Sequence, residues 1–420
     1  MYWNYACYVL VVYFWLSSYR GVVRYRPIYI HSSPQAITSL TMASLTEAQK
    51  EAIRSVPRLT AALSIAGSGS ILCSIFRKVW KGEPEASLGR SLLLGLSLAD
   101  FLSSLSYVVG DIAFPEGVGA GKGTQATCNL QGFFCNLQVG AAIYSGFLAW
   151  YYCFFIRYHW RRPSLKYVEQ AAHLLSWGFV LSTGCASIAK HLYSPHWIRC
   201  YIAGPGSNPY FWGFFYAPIW LSMICGSIAM FLIYLYVRNI EARSLQHTFE
   251  RSALHLQQIS IRNEVSAGVV SGVSSSVSND LPTMIHLRED FQRSRSTLSD
   301  LPKTQRVANQ GLSYTVAFIL CYTFPTTSRI WQTACCDPPY PIRLLATSFV
   351  GSQGFWNSMV YYVLPHLQNY WARRQRKAAQ VIREESSKDE VNWHSSAAAQ
   401  EQHQPPPEGA HKIGQREEAS

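Results

Sequence analysis

Charge is scarce in this sequence. Asp, Glu, Lys and Arg make up only 14% of its 420 residues, against roughly 25% in an ordinary soluble domain. That deficit argues against a water-soluble globule. Other absences narrow the class further. No lysine occurs in 342–366, so the last apolar stretch has no amine to form a Schiff base with a retinal-type chromophore. No His-Glu-x-x-His and no paired-aspartate spacing falls inside an apolar stretch, which disfavours an intramembrane hydrolase. No internal repeat and no row of ionisable groups near a midplane is visible, which weighs against a transporter or channel. The chain reads as a non-enzyme without a cofactor.

Present instead are seven long apolar stretches, at 59–76, 91–114, 133–160, 171–192, 212–237, 312–333 and 342–366. A helix rises about 1.5 Å per residue, so about 20 residues cross roughly 30 Å of hydrocarbon. Within lipid the backbone must satisfy its own hydrogen bonds, which leaves helices for segments of this length. The expected fold is an all-α membrane protein, a seven-transmembrane helix bundle over 57–366 with a short amphipathic helix after the seventh span.

The formal charge of +12 is placed on alternate connections. Arg77, Lys78, Lys81 and Arg90 join spans one and two; Arg157, Arg161, Arg162 and Lys166 join three and four. Arg238 and Arg243 follow span five, Lys303 and Arg306 precede six, and Arg373, Arg374, Arg376 and Lys377 follow seven. The positive-inside rule puts this set in the cytoplasm, with the amino terminus outside and the carboxyl terminus inside, in a multi-pass plasma-membrane protein. Topology and anionic lipid account for the basic balance, so no nucleic-acid partner is implied.

Residues 1–56 form an external amino-terminal segment on this reading. The short apolar run at 2–16, followed by Arg20, Arg24 and Arg26, is either a leader or an eighth helix. Arginines there would favour the inside, which conflicts with the seven-span orientation and favours the leader. Most of the 11 cysteines, among them Cys73, Cys153, Cys185, Cys225 and Cys321, fall within spans as small apolar residues. Cys128, just before span three, and Cys200, after span four, lie on the oxidising side and are the expected disulfide. Cys135, two turns into the helix, competes less well, and the adjacent Cys335 and Cys336 are expected as free thiols.

The long connection 239–310 is serine-rich and expected to be largely disordered. Its first part, 238–261, has helical spacing in Ile240, Leu245, Phe249, Leu254 and Leu256, so span five is expected to continue into the cytoplasm. The run 268–279 of Ser, Val and Gly argues for a flexible break. Ser294, Ser296 and Thr297 stand among arginines, a setting for basophilic phosphorylation or simply a solvated loop. After span seven, Leu367, Tyr370, Trp371 and Ala378 share one helical face and the basic residues the other, which predicts an amphipathic helix over 367–383 on the inner leaflet. The tail 384–420 is expected to be disordered.

Polar groups inside the spans call for a partner or a role. Asp100 lies mid-span two, with Ser103 and Ser104 one turn on as expected polar neighbours, and Asn357 in span seven is a natural partner. Their contact is either a structural hydrogen bond or a bistable cluster. Pro325 removes a backbone donor from span six and predicts a kink or hinge there; Pro218 and Pro365 stand in span five and at the inner end of span seven.

These residues resemble the cyclic-AMP-receptor-like class of seven-helix G-protein-coupled receptors. The resemblance covers the seven-span core and rests on four pieces. They are Leu96 to Asp100; Cys128, Leu130, Gln131, Gly132 and Phe133; Ala317 to Cys321 with Pro325 and Arg329; and Gln353, Gly354, Phe355, Asn357, Val360 and Tyr361. It implies sensing of an extracellular ligand and activation of a heterotrimeric G protein. Carried over by position, Cys128 and Cys200 would form the external disulfide, and Asp100, Asn357 and Tyr361 the inner polar switch. Pro325 would be the hinge of span six and Arg157 the inner end of span three. Arg157, Arg161, Arg162, Lys303 and Arg306 would flank a G-protein helix. The chain departs from the family pattern at Ile156, which precedes Arg157 in place of an acidic residue, and at Tyr144 and Ser145, where a tryptophan is expected.

Overall fold

The computed structural model describes residues 45–82, 89–203, 208–266, 281–334 and 337–401, and these are mostly helical. Helix α1 is Glu47–Trp80, α2 Arg90–Val109, continued by a 3-10 turn at Gly110–Ala113, α3 Gln125–Ile156 and α4 Arg162–Ala189. A hairpin follows, β1 Tyr193–His196 and β2 Arg199–Ile202. A helical turn at Asn208–Phe211 and a π-helical stretch at Trp212–Tyr216 lead into α5, Ala217–Ser266. Helix α6 is Leu281–Ala334, α7 Tyr340–Val350 and α8 Gln353–Glu401. The chain divides into two units, 1–364 and 365–420.

Local chemistry explains the helix starts. Thr46 and Gln49 exchange bonds in a capping box at α1, and Thr124 and Thr127 do so at α3. Pro163 sits in the first turn of α4, where its missing N–H costs nothing. Five helices, Glu47–Trp80, Arg90–Ala113, Gln125–Ile156, Arg162–Ala189 and Pro209–Arg243, are long and apolar enough to cross a membrane. In the most apolar part of α3, 72% of the residues are buried; the corresponding share in α1 and in the helix at Pro209–Arg243 is 28%. Helix α3 is therefore the central post, packed against α2, α4, α5 and α6, while α1, α4 and α5 turn large apolar residues outward. Leu59, Leu63, Leu174, Leu221 and Phe231 on those outer faces are exposed, an arrangement that suits lipid and costs free energy in water.

Close approach of α8 to α1 depends on small residues. A Cβ on Gly354 would meet Ser64 Oγ at 2.7 Å and Ser64 O at 2.8 Å; one on Gly67 would meet Gly354 O at 2.8 Å. Small residues on both helices let the backbones touch.

The stretch 342–366, expected as one span, is instead two helices, broken at Gly351 and Ser352. The break is stabilised by bonds that replace those the helix gives up. Gln138 Nε2 of α3 donates to Val350 O (2.7 Å), Ser352 N to Phe349 O (3.0 Å), and Trp356 Nε1 to Ser352 Oγ (3.1 Å). The other expected span, 312–333, lies inside α6, where Thr315, Thr323, Thr326, Thr327 and Thr333 dilute its hydropathy.

Other boundaries differ from expectation. Span five continues as a helix, as the spacing over 238–261 predicts, and runs on to Ser266, whereas 281–310 is helical where disorder was expected; propagation from an anchored helix is cheaper than nucleation. Residues 267–280 lie outside the described residues. Helix α8 runs through Pro365 to Glu401 rather than ending at the proline. One missing donor removes a single bond from a ladder that continues on both sides. Residues 384–401 are consequently helical, contrary to the disordered tail expected there. In the second unit Arg374 stacks over Trp371, 5.6 Å to the ring centre, and Trp371 packs edge-on to Tyr370. The expected leader at 2–16, Cys335, Cys336 and the tail beyond Glu401 lie outside the described residues.

Candidate functional site

Two polar regions stand out within the first unit. The first is deep among α1, α2 and α8. Asp100 and Asn357 are each 2% exposed, and Asn357 Nδ2 donates to Asp100 Oδ2 at 2.7 Å. The flanking serines do not serve the carboxylate as the sequence suggests. Ser103 Oγ donates to the Asp100 backbone carbonyl (3.1 Å), and Ser104 Oγ donates to Ser64 Oγ (2.9 Å), which accepts from Gly354 N (2.9 Å). Hydroxyls in a helix readily bond the carbonyl one turn back, so spacing alone does not make them partners of the acid. Tyr361, one turn beyond Asn357, turns instead to α1, with its hydroxyl 3.4 Å from Ser74 Oγ and 3.3 Å from Lys78 Nζ.

The second region lies where the hairpin covers α2, α3 and α6. A disulfide joins Cys128 to Cys200, with Cα atoms 5.3 Å apart and both residues fully buried. Gln131 secures the same corner: its Oε1 accepts from Cys200 N (2.8 Å) and its Nε2 donates to Ser106 O and Gly110 O. The antiparallel register pairs His196 with Arg199 beside the turn, where Trp197 takes a positive φ of 52°. Next to that turn is a cavity of about 50 Å³ lined by His196, Arg199, Tyr201, Phe211 and Arg329, among others.

The Arg199 guanidinium lies 4.2 Å from the Tyr107 ring centre, Arg329 3.9 Å from Phe211, and Arg343 5.6 Å from Trp197. Arg343 is compensated by Pro338 O at 2.7 Å and by Asp337 at 3.9 Å. Arg329 donates to Gln332 Oε1 at 2.9 Å. The Nε atoms of Arg199 and Arg329 and both ring nitrogens of His196 are buried without a hydrogen-bond partner. Burial first, then the positive charges of Arg329, Arg199 and Arg343, pushes the His196 imidazole down to about 3, so it is neutral near pH 7.

A chain of contacts leads away from this cavity. The Tyr107 ring under Arg199 donates its hydroxyl to Gln138 Oε1 (3.0 Å), Tyr322 of α6 donates to Gln138 O (3.2 Å), and Gln138 Nε2 reaches Val350 O at the α7–α8 break. Gln353, just past the break, donates to Ser145 Oγ (3.4 Å). The sequence does not single out Gln138 or His196; both are ordinary polar residues until the fold brings distant segments against them.

The remaining expected residues fall elsewhere. Helix α6 runs unbroken through Pro325, whose carbonyl accepts from Tyr216 (3.3 Å). Arg157 caps α3 and donates to Leu232 O (3.4 Å), with its guanidinium 5.8 Å from the Tyr158 ring. Arg161 and Arg162 begin α4 and are exposed, as is Arg306. Near Arg306, Gln305 Nε2 donates to Glu241 Oε1 (2.6 Å) and ties α6 to α5. Ser294, Ser296, Thr297 and Lys303 lie on the backbone of α6, with side chains outside the described residues.

No family model matches the chain. Over 141 residues it is 34% identical to G-protein coupled receptor 157 of Mus musculus, a stretch covering 32% of this chain and 38% of that relative. Together with five helices able to cross a membrane, this similarity supports a multi-pass membrane protein of the G-protein-coupled receptor kind.

Proposed function

We propose that the chain is a seven-transmembrane receptor of the cyclic-AMP-receptor-like class, with α6 and the α7–α8 pair as the sixth and seventh spans. On this reading the hairpin faces the medium and Arg157, Arg161, Arg162, Lys303 and Arg306 face the cytosol. An extracellular ligand would favour one arrangement of the bundle, and a heterotrimeric G protein would read the change at the inner ends of α3, α5 and α6.

The observation that carries the proposal is the continuous path from the disulfide-bound hairpin to the α7–α8 break. Gln138 contacts α2, α6 and α7 together, and Asn357, on α8 beyond that break, holds Asp100. A shift of the hairpin against Tyr107 would alter the bonds at the break, and rotation of α8 there would make or break the Asp100–Asn357 contact. Pro325, accepting from Tyr216 of the π-helical stretch, gives α6 a point of lowered bending resistance. Phosphorylation at Ser294, Ser296 or Thr297 would add negative charge beside the G-protein surface and weaken coupling.

A reporter of G-protein dissociation, screened against ligands in cells expressing the chain, tests the reading. A ligand-dependent response supports it; ionic current or solute uptake with no such response would favour the alternative, a polytopic channel or transporter.

A further inference from the structure

We infer that the cavity beside the hairpin turn binds a small soluble oxyanion, a carboxylate or phosphate group, held between Arg199 and Arg329. Two guanidiniums, those of Arg199 and Arg329, line it, while the ion pair of Asp337 is with Arg343, outside the lining. Among the described residues no carboxylate forms an ion pair with Arg199 or Arg329. Cations set against aromatic rings and away from water are stabilised in part by the ring faces. Stacking leaves in-plane N–H donors free for other partners; Arg329 spends one on Gln332. The buried Nε of each arginine has no acceptor, and the Nε edge of a guanidinium is one of those that grip an oxyanion through two parallel bonds.

Both ring nitrogens of His196 are also buried and unpartnered. Buried polar groups left open call for a water, an ion or a ligand as partner, and here the open atoms of His196, Arg199 and Arg329 belong to residues lining one cavity. His196 stands opposite Arg199 in the hairpin register, so one oxyanion has a histidine N–H as a third donor. The aromatic walls, Tyr201, Phe211 and Phe215, suit a short apolar substituent on the anion. Space of about 50 Å³ admits a compact head group rather than a large organic ligand. Whether the anion binds does not depend on the receptor reading; only its role as activating ligand rests on that reading.

The test uses the full chain in nanodiscs of zwitterionic phosphatidylcholine, so that no lipid of net negative charge competes. Thermal unfolding midpoints are measured with sodium benzoate, sodium succinate or sodium phosphate against sodium chloride at matched ionic strength. The expected result is a rise of about 3 °C or more with at least one oxyanion. Arg329→Gln and Arg199→Gln should abolish that rise, each shift being read against the variant's own ligand-free midpoint. If Arg199→Gln fails to fold, Arg329→Gln alone decides. Oxyanions that match chloride would overturn the proposal, as would variants that keep the wild-type shift. A shift seen only in nanodiscs doped with phosphatidic acid would assign the site to lipid and overturn a soluble ligand. Nucleotide exchange on a G protein, followed in the same preparations, separates the two ideas. Anion binding without exchange leaves this site standing and counts against the receptor reading.

Discussion

Single residues in the bundle act through the hydrogen bonds they complete. Asp100→Asn keeps a polar group of the same shape against Asn357 and removes the ionisable carboxyl, so surface expression should persist while ligand-driven G-protein activation changes. A dissociation reporter that reads wild-type activation would remove Asp100 from the switch. Gln138→Leu strips bonds from Tyr107 and from Val350 O at once. Each buried group left open costs about 1–3 kcal/mol, so a lowered unfolding midpoint is expected in detergent. His196 gives a pH prediction. Its folded value lies at about 3, below its ordinary 6.5, so the unfolded chain takes up the proton first as pH falls. Stability is fully present above pH 6.5 and declines toward pH 3, by at most about 1.4 kcal/mol per pH unit. His196→Phe should flatten the fall in unfolding midpoint between pH 7 and pH 5, and an unchanged slope would assign that fall to other groups. Asp100 and Asn357 stand out in the sequence because each is polar inside an apolar run. Arg199 and His196 do not, since nothing local distinguishes a loop cation or imidazole until hairpin, α2 and α6 close around it.

At the level of the helices, two features carry the architecture: the α1–α8 approach and the interruption at Gly351–Ser352. Gly354→Val would drive a side chain into Ser64 Oγ and the Ser64 carbonyl. Backbone cannot yield as a flexible side chain can, so the expected penalty is about 1–3 kcal/mol. It should appear as reduced cell-surface protein with wild-type transcript, and normal surface levels would contradict so tight a contact. The first five apolar stretches are legible in the sequence because lipid imposes a length and a composition that water does not. The split of 342–366 is not legible, because Gly and Ser are common within membrane helices; Gln138, far away in sequence, satisfies the buried carbonyl of Val350 that the break leaves open. The extension past span five over 238–261 and the helix over 367–383 are legible in their residue spacing, but the helices at 281–310 and 384–401 are hidden for a related reason. Their serine-rich and charged composition resembles that of unstructured connections, while the helix propagates from a part already packed.

For the whole molecule the governing relation is between two ends of one bundle. One carries the Cys128–Cys200 disulfide, the hairpin and the arginine-lined cavity; the proposed function puts the G-protein surface at the other. Cys200→Ser removes the covalent tie, worth about 2–5 kcal/mol in small secreted domains, and should lower cell-surface protein. Tags inserted at 204–207 and at the carboxyl terminus of intact cells should be reached by antibody only at the first position. The relative in mouse matches over 38% of its own length, so coupling must be measured on this chain directly. The most direct measurement is guanine-nucleotide exchange by purified heterotrimers added to the full chain in nanodiscs. The receptor account predicts that exchange accelerates over empty nanodiscs with at least one heterotrimer and that Asp100→Asn alters the acceleration; rates equal to empty nanodiscs across all heterotrimers, with and without candidate ligands, would contradict it.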